Sequence, residues 1–211
     1  MTTGAEILHQ VPYHSQWESP ALVREIIGGR LSAADDPRWG ESGAATPEEY
    51  EYWSWRLCGV ACLRMALDFW WGFAPPPVTL AGECLNAGAY VRKGEHLEGL
   101  IHAPFAAYTS ERWGLAARSR PQLPAEEVPE HLAAGGLVML SVHPAVRTLG
   151  PEPPRRGGHL VLAVGATAGH LVIHNPSGFA GESQEFARVP WADLPRFYSG
   201  RGIVLGPYPA G

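Results

Sequence analysis

Residues 58–71 run CGVACLRMALDFWW, a stretch in which only Arg64 and Asp68 are charged. Cys58, Cys62, Met65 and Phe69 fall at i, i+4, i+7 and i+11, the spacing of one helical face. With apolar residues on most of the remaining surface as well, the stretch predicts a helix buried on most sides. Gly72 is placed to stop it, and Pro75-Pro76-Pro77 forbids its continuation. Upstream, residues 17–57 are aromatic and acidic, with Trp17, Trp39, Trp53 and Trp55 among loop residues and short helical pieces. Downstream, residues 78–135 mix short helices and loops, and Leu97–Tyr108 and Glu126–Ala134 are the predicted helices, the second ended by Gly135-Gly136. The character then changes to β-branched and aliphatic runs bounded by turn residues: Leu137–His143, His159–Ala166 and His170–His174, then Phe186–Val189 and Gly202–Leu205. Helices first and strands afterwards predict an α+β domain spanning 1–211. Its helical part covers about 17–135 and its sheet part about 137–206, with the 58–71 helix packed on an antiparallel sheet.

Composition bounds what such a domain can do. Of 211 residues, 45% are hydrophobic and 18% charged, enough apolar material for a core. The 25 glycines and 20 prolines predict many loops between short elements. The net charge is −5, and Lys93 is the only lysine among 16 basic residues. A mildly acidic chain without a basic stripe excludes nucleic acid and anionic membrane as partners. No apolar run approaches the roughly 18 residues that span a bilayer. Met1–His9 has neither the basic nor the apolar region of a secretory signal, so a cytoplasmic protein with reduced thiols is expected. Three cysteines, at 58, 62 and 84, do not make a disulfide scaffold.

Cys58 stands at the start of the predicted helix, where backbone N–H groups and the helix dipole favour an anion and lower a thiol pKa. The small Gly59 and Ala61 leave room for a substrate carbonyl, and the Cys58 N–H could serve as an oxyanion donor. His159 opens a strand after Gly157-Gly158. If Thr167-Ala168-Gly169 is a three-residue hairpin loop, residues pair at an index sum near 336. Asn175 then lies opposite Val161 and one diagonal step from His159 on the same face, about 7–8 Å away between backbones, while His174 points to the other face. Asn175 is therefore placed to fix the His159 tautomer. Cysteine, histidine and a polar orienter are the parts of a thiol-based acyl-transfer site. Cys62 and Cys84 read as packing. Trp55 and Gly158 are expected at the substrate cleft, and His143, before Pro144 at a strand end, is a further candidate there. Pro151–Arg156 reads as a solvated loop, with a specificity rim for acidic substrates as its alternative. Cys58-x₃-Cys62 and His170-x₃-His174 superficially suggest zinc, but four strand residues span about 13 Å, too far for one ion. No metal or cofactor is expected.

Four motifs occur in order: Val11-Pro-Tyr-His-Ser-Gln16, Cys58-Gly-Val-Ala-Cys-Leu-Arg-Met65, Gly158-His-Leu-Val-Leu-Ala-Val-Gly165 and Asn175-Pro-Ser-Gly178. Over about residues 10–205 they resemble the bacteriocin-processing, double-glycine branch of papain-fold cysteine peptidases. The resemblance implies a papain-like fold, a peptide or amide substrate, Cys58 as nucleophile, and His159 as base and acid. It also implies Asn175 as orienter and Gln16 as side-chain donor to the oxyanion hole. Where the family commonly has Asp, this chain has Asn175. Gln16 lies 42 residues before Cys58 and must be returned to the site across the Trp-rich segment. Three activities share these residues: amide hydrolysis through a Cys58 thioester, acyl transfer or peptide ligation from the same thioester, and catalytically silent binding.

Overall fold

The computed structural model describes residues 6–94, 96–97 and 99–207; the two ends of the expected 1–211 span lie outside them, as does Glu98 within the expected Leu97–Tyr108 helix. The helices are α1 (Val23–Ile27), α2 (Pro47–Ser54), α3 (Cys58–Trp71), α4 (Pro77–Asn86), α5 (His102–Trp113), α6 (Val128–Ala133) and α7 (Leu194–Phe197). The strands are β1 (Ile7–Leu8), β2 (Arg92–Lys93), β3 (His96–Leu97), β4 (Leu115–Arg120), β5 (Leu137–Val142), β6 (His159–Ala166), β7 (His170–His174), β8 (Ala187–Pro190) and β9 (Tyr198–Pro207). The main sheet is antiparallel in the order β4-β9-β5-β6-β7-β8, and β1 pairs with β6 beyond the end of β5. β2 and β3 form a separate two-stranded ribbon.

Every residue of β5 and β6 is buried, because both faces of the sheet are covered. Leu160, Leu162 and Val164 join α3 in one core, and Val161 and Ala163 join α6 and α7 in a second core on the opposite face. This is the helix-on-sheet arrangement of the α+β reading. Gly59 through Leu67 of α3 are all buried, and Gly72 closes the helix at φ +65° with its N–H on the Asp68 carbonyl. The helix's two charges are not wasted on solvent. Arg64 pairs with Glu18 at 3.2 Å and Asp68 with His14 at 2.8 Å, so the polar face of α3 clamps residues 14–18. The same strap reaches the turn after β7. The Ser15 hydroxyl and the Gln16 N–H donate to the Pro176 carbonyl, and the Tyr13 hydroxyl donates to the Asn175 carbonyl. The Trp-rich segment is thus a loop-out between two fixed ends.

Several boundaries differ from the sequence reading. The helix expected at Leu97–Tyr108 starts at His102 and runs to Trp113, where Gly114 at φ +64° ends it. β4 lies inside the region read as helical and pairs with β9, so helix and sheet parts are not separated along the chain. Its residues, LAARSR, have little β-propensity and are recruited as a half-exposed edge. α2 forms because Thr46 accepts the Glu49 N–H, Glu49 reaches back to the Ala45 N–H, and Pro47 occupies the first turn.

The Trp-rich loop-out is organised by Asp36, which is fully buried. Its carboxylate accepts from the Ser19 N–H and hydroxyl, the Tyr50 hydroxyl and the Arg38 N–H. Removing that acceptor strands buried donors, each worth about 1–3 kcal/mol. Asp36→Ala should therefore cost roughly 2–4 kcal/mol in urea unfolding; a loss below about 1 kcal/mol would mean that the hub does not organise the segment.

Candidate active site

Cys58 opens α3 with no side-chain cap before it, so the orphan N–H groups of the first turn face whatever sits there. The N–H groups that bear on its sulfur are those of Leu160, Gly59 and Cys58 itself. One turn later the Cys62 thiol donates to the Leu160 carbonyl at 3.7 Å. The two cysteines, i and i+4 on one helix face, thus both bear on a single β6 residue. Gly59 permits this approach: a Cβ there would lie 2.6 Å from Leu100 Cδ1 and 3.0 Å from Leu160 Cδ1.

His159, the residue before Leu160, is launched by Gly157 and Gly158 at φ +83° and +93°, a turn no other residue adopts readily. Its Nε2 lies 2.8 Å from Asn175 Oδ1 and 3.1 Å from Ser177 Oγ. The Ser177 N–H also donates to Asn175 Oδ1 at 3.1 Å, which fixes the amide oxygen on this side. Facing an acceptor, Nε2 carries the proton, and Nδ1 is left as the bare nitrogen. Arg147 donates to both the Ser177 carbonyl and hydroxyl, at 2.9 and 2.7 Å, and so holds the turn from below. Asn175 Nδ2 is buried without a partner.

The pairing that brings Asn175 to His159 has the index sum of 336 read in the sequence, but the chain reaches it by a different turn. The β6–β7 turn is tighter, with Thr167 N–H on the His170 carbonyl and Ala166 opposite Leu171, an index sum of 337. A one-residue bulge between Ala163 and Gly165 then shifts the sum to 336, so that Leu162 faces His174. His174 points into the α3-side core, where it bonds the Val11 carbonyl at 2.8 Å.

Cys58, His159, Gly158 and Trp55 line one cavity of about 340 Å³, together with Arg56, Leu100, His102, Ser141 and Arg201. A larger hollow of about 710 Å³ between the β4–β9 edge and α6 contains none of the candidate catalytic side chains. Trp55, 48% exposed, packs edge-on against buried Trp17 and forms a cavity wall. Gln16 is brought to the turn that precedes the nucleophile helix, but its Nε2 donates to the Ser54 carbonyl at 2.7 Å and the side chain does not line the cavity. His143 is also off the cavity, its Nδ1 accepting the Ala145 N–H at 3.2 Å. Ser177 stands in the Asn175–Gly178 motif and was readable there. Arg147, Arg56, His102 and Arg201 carried no local sequence signal. Among the described residues, no group of three or more His, Cys, Asp or Glu side chains is placed to hold a metal ion.

The charge state corrects one expectation. Burial pushes the Cys58 thiol above its ordinary value, and the three N–H groups offset this only in part. Burial likewise pulls His159 down to about 4; Arg147 and His143 push the same way, against the Asn175 hydrogen bond. Both shifts favour a neutral thiol and a neutral imidazole in the resting site.

A candidate C39-like peptidase from Bacillus anthracis superposes with a TM-score of 0.58 at 16% identity, covering 98% of this chain and 100% of that one. The fold is C39-peptidase-like. The peptidase domain of Streptococcus ComA, a bifunctional ABC transporter involved in a quorum-sensing pathway, aligns at TM-score 0.48 and 14% identity over 72% of this chain and 92% of that one. No protein-family model matches the sequence, and no curated protein matches it.

Within this C39-like fold the resting charge state is directly measurable. Cys58 should alkylate with a pH midpoint above the free-thiol value of about 8.5. The unfolded chain protonates the His159 imidazole near pH 6.5, whereas the folded chain does so near 4. Between those values the unfolded state binds the extra proton, so stability falls as the pH is lowered. The full effect is about 3 kcal/mol. His159→Gln should flatten that part of the stability profile relative to wild type, and identical slopes in the two proteins would contradict a buried neutral imidazole.

Proposed function

We propose that this chain is a cysteine peptidase or amidase, working as one papain-like domain and cleaving a peptide or amide bond through a Cys58 thioester. The observation that carries this reading is the cavity shared by a helix-opening Cys58 and a His159 whose tautomer is set by Asn175. The peptidase-type fold supports it. His159 Nδ1 takes the Cys58 proton as the sulfur attacks the carbonyl carbon, and the Cys58 N–H faces the developing oxyanion. The imidazolium returns its proton to the leaving amine as the C–N bond breaks. Water, deprotonated by His159, then attacks the thioester, releasing the acid and restoring the thiol. Gln16 serves the site through the Ser54 carbonyl, bracing the turn that delivers Cys58. The unpaired Asn175 Nδ2, a cost of about 1–3 kcal/mol, is tolerated because Oδ1 is committed to His159. Three free cysteines and a thiol nucleophile suit a reducing, cytoplasmic setting.

With a fluorogenic peptide library, Cys58→Ala should abolish turnover while retaining the wild-type circular dichroism spectrum. His159→Ala should lower kcat/KM by about 10²–10⁴, and Asn175→Ala by less. Full turnover in Cys58→Ala would sink the proposal. Mass analysis of products with and without an added amine separates hydrolysis from acyl transfer.

A further inference from the structure

The chain carries 21 acidic against 16 basic residues, yet among the described residues that line the Cys58 cavity there is no Asp or Glu, and those that carry a full charge are Arg56 and Arg201. Eight arginines elsewhere end on a carboxylate. These two do not. Arg56 is spent on the Tyr52 carbonyl and ring, which hold the guanidinium in place without neutralising it. Arg201 is exposed, and among the described residues no ion pair or hydrogen bond engages it.

Arg201 is also aimed. Opposite β5, Leu140 pairs with Gly202 but Val142 pairs with Tyr198, so β9 has extra residues across from Ser141. Gly200 at φ +71° turns this bulge, and the Ser199 hydroxyl ties it to the Ser141 carbonyl at 3.0 Å. A bulge beside a site re-aims a side chain, and here Ser141 and Arg201 both emerge on the cavity. The Arg201 charge reaches across to His102, which burial and that charge together hold below its ordinary value.

We propose that the Cys58 cavity recognises a substrate carboxylate, with Arg201 as the principal contact and Arg56 as the second positive charge. The inference rests on the peptidase or amidase reading and names its substrate class, an acidic peptide. A guanidinium presents a fork that matches a carboxylate in two parallel hydrogen bonds. The carboxylate can belong to a Glu or Asp side chain beside the scissile bond or to a free chain terminus; the chemistry is the same.

Two arms test this with the intact protein. In the first, Cys58 is alkylated with iodoacetate and with iodoacetamide; Cys62 and Cys84 are fully buried, so the rates report Cys58. Charge-assisted pairing predicts that Arg201→Gln lowers the iodoacetate-to-iodoacetamide rate ratio by about 10-fold or more, that Arg201→Lys recovers much of it, and that added salt lowers the wild-type ratio. A ratio insensitive to both salt and Arg201→Gln overturns the proposal. In the second arm, matched peptides carry Glu or Gln next to the scissile bond, and a C-terminal acid or amide. A kcat/KM preference for Glu assigns the carboxylate to a side chain, and a preference for the free acid assigns it to the terminus. Equal cleavage of all four overturns the proposal. If the alkylation ratio behaves as expected and no peptide is cleaved, the hydrolase reading falls and the anion-binding cavity stands.

Discussion

His159 and Asn175 meet because β6 and β7 are paired at an index sum of 336 at their far end, although the turn that joins them starts the ladder at 337. Side chains alternate faces along a strand, so a one-residue slip would carry Asn175 to the α3 side and His174 to the side of His159. The bulge between Ala163 and Gly165 absorbs that slip. Much else is hung on the corrected register. The strap at residues 13–16 bonds the Asn175 and Pro176 carbonyls, and Arg147 holds Ser177. α3 docks its two cysteines on Leu160, the neighbour of the histidine. Gln16 reaches the nucleophile turn because the strap is already anchored, at one end by the charged face of α3 and at the other by the turn after β7.

Two opposed electrostatic effects act on Cys58, and their sizes decide the resting state. A helix N-terminus favours an anion by typically 0.3–1 kcal/mol, up to about 2 in partly buried geometries. Partly withdrawing a thiolate from water against the apolar core of α3 and β6 opposes this, and the net direction for Cys58 is upward. Burial wins. The same holds for His159, where the orienter is a neutral amide that cannot stabilise imidazolium by charge and the Arg147 charge opposes it. Both shifts favour a site that rests uncharged, with the thiolate and imidazolium created during attack.

The α+β architecture was legible because α3 and the β5–β7 strands carry strong periodic signals and occupy both faces of one core. β4 was not legible, since LAARSR is a strand only by virtue of its partner β9. α2 was read only as one of the short helical pieces within residues 17–57; the capping sequence Thr46-Pro47-Glu48-Glu49 that starts it was a local signal left unused. The pairing near Asn175 was read correctly through compensating details: the turn is tighter than the expected three-residue loop, and the bulge restores the difference. Sequence shows that Cys58 begins a helix, where the N–H groups favour a thiolate, but not the partial withdrawal from water that opposes them. Ser177 sits inside a visible motif. Arg201 reaches the cavity only through an irregularity in β9, which no spacing rule encodes.

Positive charge stands on both sides of the histidine: Arg147 bears on it from the Ser177 turn, and Arg56 and Arg201 line the cavity it shares with Cys58. The Arg147 charge disfavours the imidazolium that acyl transfer requires. A carboxylate seated on Arg201 adds a negative charge to the cavity that His159 lines, and an opposite charge near an imidazole favours its charged form. Interactions that grow as charge develops lower the barrier, whereas interactions equal in ground and transition states only tighten binding. The carboxylate belongs to the first kind. In a buried site that rests uncharged, recognition of an anion and creation of the thiolate–imidazolium pair are one electrostatic event, and the substrate's charge acts on kcat as well as on KM.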